Sequence, residues 1–158
     1  MLAIDILKWP GMNQAFLFSF FITSGLALVT IPYGKRRPVG TPTSWGEAIL
    51  GATYTFFVMF LAFGVVPHQL IDHIDKNLGW RKDKLLFGPG GILKPKHLGG
   101  SFPMDVSYEA LRDIVVVGLH VYFVALMIYV MVAWQKRGEK AVKAIETSTY
   151  GRPLVRKN

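Results

Sequence analysis

No cysteine occurs anywhere in the 158 residues. Its absence excludes disulfides, thiolate metal sites, iron–sulfur ligation and covalent attachment of a c-type haem within this chain. Acidic residues are also scarce, with 10 Asp and Glu against 18 Lys and Arg. No Ser-His-Asp set, no paired-carboxylate hydrolase arrangement and no internal repeat is recognisable. The glycines of Phe87-Gly-Pro-Gly-Gly91 and Leu98-Gly-Gly100 lack the flanking strand and helix that a phosphate-binding loop requires.

What is present is apolar sequence, 51% of the chain, gathered into blocks rather than spread in amphipathic periods. The blocks are Ala15 to Tyr33, Trp45 to Val66 and Ile114 to Trp134. A helix needs roughly 20 residues to cross ~30 Å of hydrocarbon, and each block reaches or nearly reaches that length. The expected fold is therefore an all-α integral membrane protein of three transmembrane helices, with a short amphipathic interfacial helix and a long Gly/Pro-rich outer loop.

A single membrane domain is expected to divide as follows. The crossings fall near residues 13–33, 45–66 and 108–137, the interfacial helix at 67–78, the loop at 79–106 and a basic tail at 138–158. Met1 to Gly11, with Trp9, reads as a short interfacial piece, and Lys35-Arg36-Arg37 in place of a small-residue cleavage site marks the first block as a retained helix. Ser19, Thr23, Ser24 and Gly25 carry spacings that let another helix approach closely.

Ser44 and Glu47 stand in capping-box spacing at the start of the second block, so Glu47 reads first as a cap rather than a buried proton carrier. Pro67 removes a backbone donor and should kink the chain. Beyond it, Leu70, Ile71, Ile74 and Leu78 share one arc at about 100° per residue, opposite His68, Asp72, Asp75 and Lys76. That pattern predicts a helix lying in the interface, closed by Gly79 and anchored by Trp80. The third crossing is entered through Asp105 or Ser107 as a cap.

The net charge of +8 is what positive-inside bias and anionic headgroups require, and it does not point to nucleic acid. The first connection holds Lys35, Arg36 and Arg37 without an acid, and seven Lys or Arg follow Trp134. This bias predicts an outside amino terminus and a cytoplasmic carboxyl terminus, and the membrane expected is an energy-transducing one such as a bacterial inner membrane. Trp9, Trp80 and Tyr108 would then mark one interface, and Tyr33, Trp45 and Trp134 the other.

Two constellations carry possible chemistry. His120 would lie roughly 9–12 Å below the outer interface, where an ionisable ring is costly unless it meets protein, cofactor or water. Glu109, Asp113 and His120 fall within about 40° of one another, with Met127 and Met131 deeper on the same helix. His120 can serve as an axial ligand to haem b or a chlorophyll-type pigment, as a quinol or proton relay, or as a plain hydrogen-bonding residue at a subunit contact. His68 is the second candidate cofactor residue, although its expected depth differs from that of His120 by two turns.

The other constellation is His68, Asp72 and Asp75, spaced four and three apart on one face, which can hold a divalent cation with water. Its plainer reading is a wet helix face on which Asp72 pairs with Lys76. His97, in a Gly/Pro/Lys loop, is expected to be exposed.

Two segment pairs resemble a group of bacterial three-helix membrane proteins associated with quinol–cytochrome c reductase-like complexes. They are Trp45-Gly-Glu-Ala48 with Gly64-Val-Val-Pro-His-Gln69, and Phe102-Pro-Met-Asp-Val-Ser-Tyr-Glu-Ala-Leu-Arg-Asp113 with Trp134-Gln-Lys-Arg137. The resemblance implies an accessory subunit of a respiratory or photosynthetic electron-transfer complex, without catalytic activity alone. Its partners would be larger membrane subunits and lipids, and a quinone or other cofactor would lie at a subunit interface. It supplies no ligand set. The chain lacks the paired histidines of a haem-carrying cytochrome b. The alternatives are a subunit forming a metal site through His68, Asp72 and Asp75 in a membrane oxidase or monooxygenase, and a free-standing transporter or sensor.

Overall fold

The structure, a computed structural model, describes residues 13–37 and 39–146, with side chains to Arg137. Met1 to Gly11 with Trp9, and the far end of the basic tail, lie outside the described residues. Helix α1 spans Gln14–Arg36, α2 spans Trp45–Phe60, α3 spans Val66–His73 and α4 spans Tyr108–Glu146. A π-helical turn at Leu61–Val65 joins α2 to α3, and a second at Ile74–Leu78 ends α3. Three stretches, Gln14–Arg36, Trp45–Leu78 and Tyr108–Arg137, are long and apolar enough to cross a membrane, which fits a multi-pass membrane protein.

Helices α1, α2 and α4 each start where a side chain satisfies an orphan amide, whereas α3 continues from the π turn without a side-chain cap. Asn13 accepts from the Ala15 amide at 2.9 Å. Ser44 and Glu47 form the reciprocal capping box, with Ser44 Oγ accepting from the Glu47 amide at 3.2 Å and Glu47 Oε2 accepting from the Ser44 amide at 2.9 Å. At α4 the cap is Ser107, whose Oγ accepts from the Ala110 amide at 3.2 Å, while Asp105 pairs with His97 instead. The first crossing extends past Pro32 to Arg36, because a proline in the final turns costs little of the ladder behind it.

The segment 67–78 corrects the expectation of a separate interfacial helix. The backbone stays helical from Trp45 to Leu78, with Val65 at φ −71°, ψ −50° and Val66 at φ −63°, ψ −48° directly before Pro67. The wide π turn at Leu61–Val65 takes up the missing N–H and the ring, as π adjustments do in membrane helices. Gly79, at φ 59°, closes the helix with its amide on Ile74.

The apolar arc of this segment faces the bundle rather than a lipid surface. Ala62, Val66, Leu70 and Ile74 are buried and meet Leu119 and Phe123 of α4, with Phe16, Phe20, Phe63, Leu78 and Trp80 packed around them. A step of four residues overshoots an α-helical turn by about 40°, so a row at every fourth position would wind off one face. The π turns at both ends of the row hold more residues per turn and keep it on the seam.

Helix α1 joins this core through Thr23, Ser24 and Ala27, so of the small residues singled out in the first crossing Thr23 and Ser24 are buried, whereas Ser19 bonds to the Phe16 carbonyl of its own helix and the Cβ position of Gly25 is open. Ser24 Oγ and Tyr122 Oη lie 3.2 Å apart. At the opposite end, Trp134 stacks on Tyr33 with centroids 6.2 Å apart and covers Gly34, while Trp80 and Tyr108 meet at 5.8 Å at the α3 end. The two aromatic pairs cap the two ends of the bundle, as the belts of a membrane protein do.

The first half of α2 packs on almost nothing. From Trp45 to Phe57 every residue except Tyr54 is exposed, and among the described residues its side-chain ties to the first crossing are Tyr54 Oη donating to the Leu26 carbonyl at 2.6 Å and Glu47 pairing with Arg37 at 3.3 Å.

Candidate functional site

The charged residues converge where the second long helix ends and α4 begins. Arg112, on the first turns of α4, donates to Asp75 at 2.8 Å across the helix pair, and its guanidinium also lies 2.8 Å from Asp113 and 3.4 Å from Glu109. Its side chain is only 16% exposed. Beside it opens a cleft of about 550 Å³ lined by Asp75, Trp80, Arg81, Lys82, Asp83, Glu109 and Arg112. Three carboxylates and three cations line that cleft, so it offers both signs and an aromatic wall rather than the field of one charge.

Arg112 changes the meaning of two sequence-predicted groups. Glu109 and Asp113, which share a helix face with His120, close around Arg112. Asp75 is likewise taken by Arg112, and Asp72 is taken by Lys76 at 2.7 Å. Exposed His68 is thus the one member of the His68, Asp72 and Asp75 set without a partner among the described residues, and no group of three His, Asp or Glu side chains gathered to hold a metal occurs among them. His97 is exposed, as its loop predicts, and lies 3.4 Å from Asp105.

His120 is half-buried on α4. Its Nδ1–H donates to the Val116 carbonyl at 2.8 Å, since a carbonyl only accepts, and its ring lies 6.0 Å from Phe63. With Nδ1 engaged, Nε2 is the ring's other nitrogen, and it has no partner among the described residues. Exposed Val117, Val121 and Val124 lie to one side of the ring on the helix, and buried Phe123 to the other. His68 follows Phe63 by five residues, about 7.5 Å along the helix, so the two imidazoles stand at different levels.

The most buried histidine is His73, 5% exposed, whose role the sequence pattern hides. Its Nδ1 lies 2.7 Å from Asn77 Nδ2, and its Nε2 has no partner among the described residues. The available signal was its place three residues after Leu70 and beside Ile74, on the arc that enters the core. Thr23, wholly buried, has an equally unpaired hydroxyl among the described residues.

No protein-family model, no curated protein and no solved structure matches this chain. The functional reading therefore rests on the geometry.

Proposed function

We propose that this chain is an accessory transmembrane subunit of a larger electron-transfer assembly, stabilising the complex and bordering a quinol- or cofactor-proximal surface. Its partners are larger membrane subunits and lipid. The observation that carries this reading is α2. Over its first thirteen residues it packs on nearly nothing in its own chain, and Gly46 and Gly51 stand there where an added Cβ would meet no atom within 4 Å. Glycine in a helix interior costs stability, and in membrane helices small residues serve close helix contact. With no contact inside the chain to use them, they suit a helix from another subunit.

The electron-transfer part of the reading draws on His120. His120 is half-buried and its Nε2 has no partner among the described residues, at a depth where a bare imidazole is costly, which suits a quinol hydroxyl or a haem or chlorophyll-type pigment carried by a neighbour. The basic connection after α1 and the basic end of α4 support a cytoplasmic carboxyl terminus and an outside amino terminus, and the membrane of this reading is a bacterial inner membrane. The test is purification from native membranes in mild detergent, with a visible spectrum and identification of companion chains. Companion chains in fixed stoichiometry and an absorbing cofactor are expected; a colourless chain running alone overturns the reading.

A further inference from the structure

The loop between the π turn that ends α3 and the start of α4 is a folded unit that leaves its apolar and cationic side chains unused. Its backbone is closed on itself: the Leu86 amide donates to the Val106 carbonyl at 2.7 Å, the Lys96 amide to Phe102 at 3.0 Å, the Phe102 amide to Lys94 at 3.1 Å and the Tyr108 amide to Lys84 at 3.0 Å. Pro95 is fully buried, and Gly100 lies so close to the Lys94 carbonyl that no side chain fits there. A segment folded this tightly has the means to hide its apolar residues. Yet Phe87 is 44% exposed, Ile92 66%, Leu98 43% and Met104 61%.

The charges show the same surplus. Asp83 pairs with Arg81 and Asp105 with His97, which uses both acids of the loop. Lys82, Lys84, Lys94 and Lys96 form no ion pair among the described residues. Trp80 and Tyr108 stand at the two roots of the loop with rings 5.8 Å apart, and such aromatic pairs sit at headgroup level. The loop therefore leaves the bundle at the depth where acyl chains give way to phosphates.

We infer that this loop is a membrane-surface device: Ile92, Phe87, Leu98 and Met104 dip into the headgroup boundary, and the four unpaired lysines bind anionic phospholipid headgroups there. Exposed apolar side chains beside unpaired lysines are the combination that interfacial segments use, the apolar groups setting depth and the cations selecting anionic lipid. Contact with an acidic protein would use the lysines but gives no reason for the loop to start at the aromatic belt. The inference depends on the chain spanning a membrane and is independent of its being an accessory subunit.

The absence of cysteine makes the test clean. Ile92→Cys and, in a separate chain, Met104→Cys are spin-labelled in the purified full-length protein and reconstituted into zwitterionic vesicles with and without anionic lipid. Collision with oxygen is then compared with collision with a water-soluble nickel chelate, and Val117→Cys on α4 serves as the reference within the span. With anionic lipid, both loop labels are expected ~5–10 Å into the boundary, favouring oxygen. Without it, or with all four lysines changed to Gln, they are expected to shift toward the chelate.

Chelate contact in both vesicle types while Val117 stays in lipid overturns the loop inference alone; loss of Val117 from lipid overturns the membrane reading with it. Equal depth in both vesicle types overturns the headgroup assignment. Exposure in vesicles combined with protection from both reagents in native membranes assigns the loop to a protein partner instead.

Discussion

Arg112 Nη1 lies 2.8 Å from Asp75 Oδ1, joining residues on two helices that are far apart in the chain. The same guanidinium also holds Glu109 and Asp113, so one cation stands among three carboxylates. Arg112→Met leaves those carboxylates facing one another without their counter-ion, and Asp75→Asn removes only one charged hydrogen bond. Because the three acids are 36–60% exposed, solvent screens much of the effect. A loss of about 1 kcal/mol is expected for Asp75→Asn and a larger one for Arg112→Met. Thermal unfolding in detergent at low and high salt checks this, with the gap between the variants narrowing as salt rises.

Gly34 and Gly51 are expected to respond in opposite directions. A Cβ on Gly34 would sit 2.8 Å from the Trp134 ring, so Gly34→Ala must push the indole off Tyr33 and loosen that end of the bundle. A Cβ on Gly51 meets nothing, so Gly51→Ala should stabilise the isolated chain by about 0.5–1 kcal/mol through helix propensity. In the proposed complex, however, Gly51→Leu should weaken association by filling the space a neighbouring helix would need. Unfolding of the purified chain and its recovery with companion subunits separate the two effects.

Pro67 should be nearly silent. The chain passes through it in helical geometry, and the preceding π turn already accommodates a residue without N–H. Pro67→Ala is expected to change stability by less than about 1 kcal/mol, against the ~3 kcal/mol a proline costs in a regular helix interior. Amide exchange across Val66 to Leu70 reads this directly. Strong new protection there would show that the proline had been breaking the helix.

His120→Ala is expected to leave the fold intact and to alter whatever the outward face touches. The ring is half-buried and its internal bond is to a backbone carbonyl of its own helix, so little of the core depends on it. The visible spectrum of the purified assembly, or its quinol turnover, is expected to change while the thermal midpoint does not. Loss of the midpoint with an unchanged spectrum would assign His120 a structural role.

Local signals were the legible part of the sequence. The Ser44–Glu47 box, the three apolar lengths, the Asp72–Lys76 pair and the Tyr33–Trp134 and Trp80–Tyr108 ends all follow from spacing or composition within a few residues. The segment 67–78 was misread because an arc of Leu70, Ile74 and Leu78 looks the same whether it meets lipid or a neighbouring helix. Only the packing of α1 and α4 decides which. Arg112 was hidden for a related reason: its partner Asp75 is remote in sequence, and pairing at that distance leaves no periodic trace. The burial of His73 was not legible because a single imidazole on an apolar arc does not change the arc.

The central claim is that the exposed half of α2 is covered by another protein. The direct measurement is a photo-crosslinking residue at Leu50, 72% exposed on that half, activated in native membranes and resolved by mass. The account predicts a discrete adduct with one larger membrane protein, lost on Gly51→Leu. Adducts to lipid alone, unchanged by that substitution, would contradict it.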